Sequence, residues 1–142
     1  MSKYILVDYR LIHSRIFIKW RKKIGFNELV VCNDQLVSNF MKKATFRAIV
    51  PKDLKVTFVS HEELKTYELD EDSVLLVATF KEAVDCCQLF PELEHMALLA
   101  VKEEQLCEKN VEELESLVTE KLKAVLGNRE MVLCFDFDDQ LY

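Results

Sequence analysis

The sequence predicts an α/β domain: a mostly parallel central sheet of about six or seven strands with helices on both faces. Two observations carry this. Short apolar runs alternate with amphipathic stretches from one end of the 142 residues to the other. The runs are also apolar at nearly every position, as strands covered on both faces are. No composition break, linker, repeat or low-complexity tract interrupts the pattern, so residues 1–142 read as a single domain.

The elements follow in order. Tyr4–Val7 is a first strand. From Arg15 to Ile24, Ile16, Phe17, Trp20 and Ile24 recur at helical spacing, and Gly25 ends the helix. Glu28–Cys32 is a second strand. Asp34 can cap a helix running to about Ile49, with Leu36, Val37, Phe40, Met41 and Ala44 inward and Pro51 closing the unit. Val56–Val59 is a third strand. Ser60 with Glu63 forms a capping box for a short helix, and Asp70-Glu71-Asp72 makes an exposed turn. Val74–Val77 is a fourth strand, and Thr79 with Glu82 a second capping box opening a helix to about Leu89. Met96–Val101 is a fifth strand. Asn110 caps a long helix with Val111, Leu114, Leu117, Val118, Leu122 and Val125 on one face, stopped by Gly127. Met131–Phe135 is the last strand.

Bulk composition narrows the function. Half of the residues are hydrophobic and 31% charged, a globular balance with enough apolar mass for a core. The net charge of −6 argues against nucleic-acid binding, where phosphate neutralisation by a basic face dominates affinity. No apolar run approaches the ~20 residues of a membrane helix. The opening apolar stretch is too short for a signal peptide and meets Asp8 at once. Five cysteines, an odd number on core-like stretches, fit reduced thiols. Together these features predict a cytoplasmic protein.

Ligands of parallel sheets bind beyond the carboxyl ends of the strands. The loop after the first strand, Asp8-Tyr9-Arg10-Leu11-Ile12-His13-Ser14-Arg15, stands out there. Leu11 and Ile12 are apolar between charged residues, and His13 comes just before a helix. A histidine imidazole titrates near neutrality and is a competent nucleophile without a metal. Attack on a phosphoryl group needs positive charge and N–H donors around its oxygens. Arg10 and Arg15 supply charge, and the first amides of the following helix supply donors and a favourable dipole. Taken alone, a histidine before a helix is more often structural, and a lone arginine more often a surface ion-pair partner.

The stretch Val7-Asp8-Tyr9-Arg10-Leu11-Ile12-His13-Ser14-Arg15, with Trp20 beyond it, resembles the opening motif of the mannose/fructose/sorbose-family IIB subunits of the bacterial sugar phosphotransferase system. That motif reads Asp-x-Arg-Leu-Ile-His-Gly-Gln with a tryptophan one or two turns later. Val31-Cys32-Asn33-Asp34 and Met41-Lys42-Lys43 up to Pro51 resemble the family's second block, and Leu75-Leu76-Val77 with the next helix its third. The resemblance implies a cytosolic α/β phosphocarrier. It would accept a phosphoryl group from a IIA phosphohistidine and pass it to a sugar entering through the membrane subunits IIC and IID. It implies His13 as the phosphorylated residue and Arg10 as the phosphate-neutralising arginine. Asp8, Ser14, Arg15, Asn33, Asp34 and, from its own loop, Thr79 would line the phosphate or substrate. No cofactor and no metal are implied, and a homodimer is in keeping with the family. Ser14 and Arg15 replace the motif's glycine and glutamine, and Lys102-Glu103-Glu104 stands where the family has Asn-x-Gly-Gly. These departures motivate an alternative: a non-catalytic or regulatory binding module on the same scaffold.

Other signals weigh less. Arg10, Arg15, Lys19, Arg21, Lys22 and Lys23 form a basic cluster suited to docking an acidic donor, or simply to solvating a helix face. Cys86-Cys87 with His95 lacks zinc-ligand spacing and reads as core. His61 reads as exposed at a helix start, and Phe135–Asp139 as a strand end with a polar tail. The absence of a glycine-rich loop disfavours nucleotide binding.

Overall fold

The computed structural model describes residues 3–107 and 109–137. Among these, six strands form a sheet in the order β3-β2-β4-β1-β5-β6. The chain divides into two compact units, residues 10–76 and residues 1–9 with 77–142.

In the unit of residues 10–76, β2 (Glu28–Cys32) pairs in parallel with both β3 (Lys55–Val59) and β4 (Ser73–Val77). Leu29, Val30, Val31 and Cys32 are fully buried, as expected of a central strand with both faces covered. At its foot Glu28 is only 7% exposed. Its carboxylate accepts hydrogen bonds from the hydroxyls of Thr57 and Ser73, each at 2.6 Å, and Tyr67, at 2.7 Å. Burial alone would raise this acid's pKa, but the three hydroxyls and the Lys55 ammonium hold it below its ordinary value. One ionised group thus ties three strands together.

Two helices of this unit differ from the sequence expectation. The segment after the first loop is not a plain α-helix. Ile16–Trp20 is a π-helical turn, closed by the Arg21 N–H donating to the Ile16 carbonyl, and α1 (Arg21–Ile24) continues it. Gly25 ends it at φ 81°, a left-handed cap that glycine adopts without penalty. The expected helix from Asp34 to Ile49 is two helices, α2 (Asp34–Val37) and α3 (Phe40–Ile49). The cap of α2 is Asn33, whose side chain accepts from the Leu36 N–H at 2.9 Å. Asn39 accepts from the Lys42 N–H at 3.0 Å and starts α3 afresh. Short polar side chains that bond the local backbone interrupt helices in this way. Leu36 is buried, but Phe40, Met41 and Ala44, expected inward, are exposed, and α3 buries no residue. The capping box of Ser60 with Glu63 forms both of its bonds at the start of α4 (His61–Leu64).

In the other unit, β1 (Lys3–Asp8) pairs in parallel with β5 (Leu93–Ala100), and β5 with β6 (Val132–Phe135). Ile5, Leu6, Val7, Met96, Ala97, Leu98 and Leu99 are at most 1% exposed and form its core. α5 (Phe80–Leu89) buries Phe80, Ala83, Val84, Cys86 and Cys87, which bears out the core reading of the paired cysteines. α6 (Val111–Leu126), capped by Asn110, buries Leu114, Val118 and Leu122 and leaves Val111 and Val125 outside. The guanidinium of Arg129 donates to the carbonyls of Cys87, Phe90 and Leu93, where the carboxyl end of a helix favours a cation.

Candidate functional site

The loop at residues 10–15 begins where β1 loses register. Val7 lies opposite Leu98, but Asp8 lies opposite Ala100, so one residue of β5 is skipped. Such bulges re-aim a strand end, often beside a site. Asp8 itself is fully buried, an unusual environment for a carboxylate. Tyr9 fixes the strand end: its N–H donates to the Ala100 carbonyl at 3.2 Å, and the Lys102 ammonium lies 4.4 Å from its ring centre.

Within the other unit, Leu11 has φ 61°, the left-handed region that non-glycine residues rarely adopt. Its side chain and that of Ile12 are buried, at 8% and 3% exposure. Burying two large aliphatic side chains contributes roughly 1.5–3 kcal/mol each, against about 1–2 kcal/mol for the strained backbone. The two apolar residues therefore act as anchors. Arg10 and His13 stand partly exposed on either side of them, Ser14 is exposed, and Arg15 is partly exposed. The His13 carbonyl accepts the Ile16 N–H at 3.1 Å, so the imidazole-bearing residue leads directly into the π turn. Backbone strain and π turns are both concentrated at functional positions.

Two further candidates lie after β2. Asn33 has its side-chain oxygen on the α2 cap, and its N–H donates to the Val59 carbonyl at 3.0 Å. Asp34 is exposed. Its Oδ1 accepts from the His61 N–H at 2.8 Å and meets His61 Nδ1 at 3.0 Å. The His61 backbone bond, then the imidazole, holds this carboxyl below its ordinary pKa. His61, expected only to be exposed, is thus hydrogen-bonded to Asp34 through both its backbone and its ring. In the basic cluster, Arg21 is spent internally: its Nε donates to the Phe26 carbonyl at 3.1 Å and its Nη1 to Asp53 at 3.0 Å.

Thr79 lies in the unit that contains α5. Its hydroxyl accepts from the Glu82 N–H at 3.1 Å and donates to the Glu82 carboxylate at 3.0 Å. That carboxylate thus meets the cap's hydroxyl rather than closing a second capping box of the Ser60 type. The N-terminal end of α5 also holds an acid that sequence reasoning did not assign there. Glu103 accepts from the Phe80 N–H at 2.7 Å and from the Lys81 N–H at 3.2 Å. No local spacing announces this contact, because 22 and 23 residues separate the partners.

Comparison with known proteins completes the picture. Residues 2–91 match the family model described as PTS system sorbose subfamily IIB component. A sorbose-specific EIIB component of the PTS system from Klebsiella pneumoniae is 30% identical over 57 residues. That stretch covers 40% of this chain and only 35% of the relative's own length. Three solved structures share the fold. ManxB from Thermoanaerobacter tengcongensis superposes with a TM-score of 0.72 at 17% identity, covering 96% of this chain and 88% of that one. The IIBSor domain of the sorbose permease from Klebsiella pneumoniae gives 0.69 at 18%, covering 96% and 87%. A PTS-dependent N-acetyl-galactosamine IIB component from Streptococcus pyogenes gives 0.69 at 14%, covering 87% and 83%.

Proposed function

This chain belongs to the sorbose-subfamily IIB components of the PTS system, and from that premise we propose that it carries a phosphoryl group on His13 between a IIA donor and a sugar. A ring nitrogen of His13 attacks the phosphorus of the donor's phosphohistidine. A new N–P bond forms as the donor's N–P bond breaks. In the second transfer a sugar hydroxyl attacks the same phosphorus, the His13 N–P bond breaks, and the imidazole is released able to take up the hydroxyl proton. The chain is thus a protein-phosphohistidine–sugar phosphotransferase working at the cytoplasmic side of a IIC/IID transporter. We take residues 1–142 as one IIB-like phosphocarrier domain, a reading supported by the family match over residues 2–91.

Arg10 holds the phosphoryl oxygens, at best by two parallel N–H bonds that only a planar guanidinium offers. Ser14 supplies its hydroxyl and amide, and Arg15 adds charge. Asp8 fixes the start of the loop. Asn33 and Asp34 shape the neighbouring rim, Asn33 through its cap and Asp34 through His61. Thr79 takes part through the cap of α5. The observation that carries this reading is the loop's alternation, in which Leu11 and Ile12 are buried while Arg10 and His13 are partly exposed and Ser14 is exposed.

The test is phosphorylation by labelled phosphoenolpyruvate through the general phosphocarriers and a IIA protein of the same family. Wild-type chain should gain an acid-labile phosphate that His13→Ala lacks. An unlabelled wild type, or a label that survives His13→Ala, would refute the proposal and favour the non-catalytic binding module.

A further inference from the structure

We propose that α3 is a docking surface for an anionic lipid membrane, independently of the chemistry at His13. The helix departs from an ordinary surface helix, since most of its apolar residues are exposed. Phe40 is 77% exposed and Met41 74%, and Ala44 and Ala48 are exposed beside them. At 100° per residue these four fall within one arc of about 100°. Arg47 and Lys43 border the arc on one side, and Lys42 lies beyond Thr45 and Ile49 on the other. Long cationic side chains around an apolar strip let the strip enter a headgroup region while the charges remain with the phosphates.

Charge across the chain favours the same occupant. Residues 10–55 hold eleven Lys and Arg against three Asp and Glu, while the rest of the chain holds eight against twenty-two. Within that segment α3 itself carries Lys42, Lys43 and Arg47 and no acidic residue, so a negative surface attracts this helix. A second copy meeting α3 face to face would set Lys42, Lys43 and Arg47 against themselves, which disfavours self-pairing. A protein partner would need roughly 800 Å² of complementary surface. A ten-residue helix about 15 Å long offers only a small convex strip. A lipid headgroup layer needs no matching groove. On the opposite side of the helix Phe46 is partly buried, so the outer arc stays presented.

The test is co-sedimentation of the full chain with phosphatidylcholine vesicles, with and without roughly one third phosphatidylglycerol. Binding should appear only with the anionic lipid and fall steeply as salt is raised. Lys42→Glu with Lys43→Glu should weaken it by more than the roughly 25-fold that losing two cations at about fivefold each predicts. Phe40→Ser with Met41→Ser, at sites too exposed to affect folding, should weaken it comparably. Circular dichroism confirms that each variant is folded. No binding to anionic vesicles at low salt would overturn the proposal, as would binding unchanged in either variant. Equal binding to soluble polyglutamate with Phe40 and Met41 dispensable would overturn it in favour of an acidic protein partner.

Discussion

The carboxylate of Glu103 lies 2.7 Å from the backbone nitrogen of Phe80 and accepts its N–H. With a second bond from Lys81, it fills the N-terminal end of α5 with a charge from the chain itself. That end of a helix attracts anions through its dipole and its unpaired amides. Here the attraction fastens the turn after β5 to α5. Glu103→Ala should therefore lower stability by about 1–2 kcal/mol, the usual cost of losing a cap. Hydrogen exchange should rise at the Phe80 and Lys81 amides and across residues 102–107. Unaltered exchange there would show that the carboxylate holds nothing in place.

Arg10 gives a sharper test of the proposed transfer. Arg10→Lys keeps the positive charge and loses the fork, so the fold should persist while phosphorylation of His13 slows by roughly tenfold to a hundredfold. Rapid-quench measurement of labelled protein gives the rate, and a denaturation curve gives the stability. Equal rates in the two proteins would remove Arg10 from the mechanism.

Glu28 makes the fold sensitive to acid. Its folded pKa lies below its unfolded value, so its contribution is complete above the ordinary carboxylate range. The contribution is lost as pH falls from that range through the depressed folded value. Glu28→Ala should cost about 2–4 kcal/mol at neutral pH, since it leaves three hydroxyls without their shared acceptor. The gap between wild type and variant should shrink as the denaturation series is carried below pH 4. A gap that stays constant with pH would show that the carboxylate's ionisation plays no part.

The thiols divide by burial. Cys32, Cys86 and Cys87 are at most 2% exposed, and burial pushes the Cys87 thiol up to about 11 despite the nearby Arg129 guanidinium. Thiolate is the reactive form, so these three should resist Ellman's reagent at neutral pH. Cys107 and Cys134, partly exposed, should react in the native protein. All five should react after denaturation. Prompt native reaction of more than two thiols would contradict the packing around β2 and α5.

Much of this architecture is legible in the residues because it is local. The boundaries of β2, the capping box at Ser60 and the stops at Gly25 and Gly127 rest on neighbours within a few positions. The likeness of the His13 loop to IIB subunits is likewise a run of adjacent residues, and the family match agrees with it. What escaped depends on the third dimension. The apolar spacing of Phe40, Met41 and Ala44 reads as a buried face, because periodicity reports amphipathicity without saying which side meets the protein. The hydroxyls around Glu28 come from positions 29 to 45 residues away. Leu11 at φ 61° could not be anticipated, since only tertiary burial makes that backbone worth adopting.

That pair of buried residues, Leu11 and Ile12, divides the loop's inheritance in two. The loop is anchored by two buried side chains, and the groups proposed to act stand beside them, partly exposed. Substitutions at the exposed Ser14 would then leave the loop's position alone. A family built this way can retune its chemistry, or give it up, with the scaffold unaware of the change.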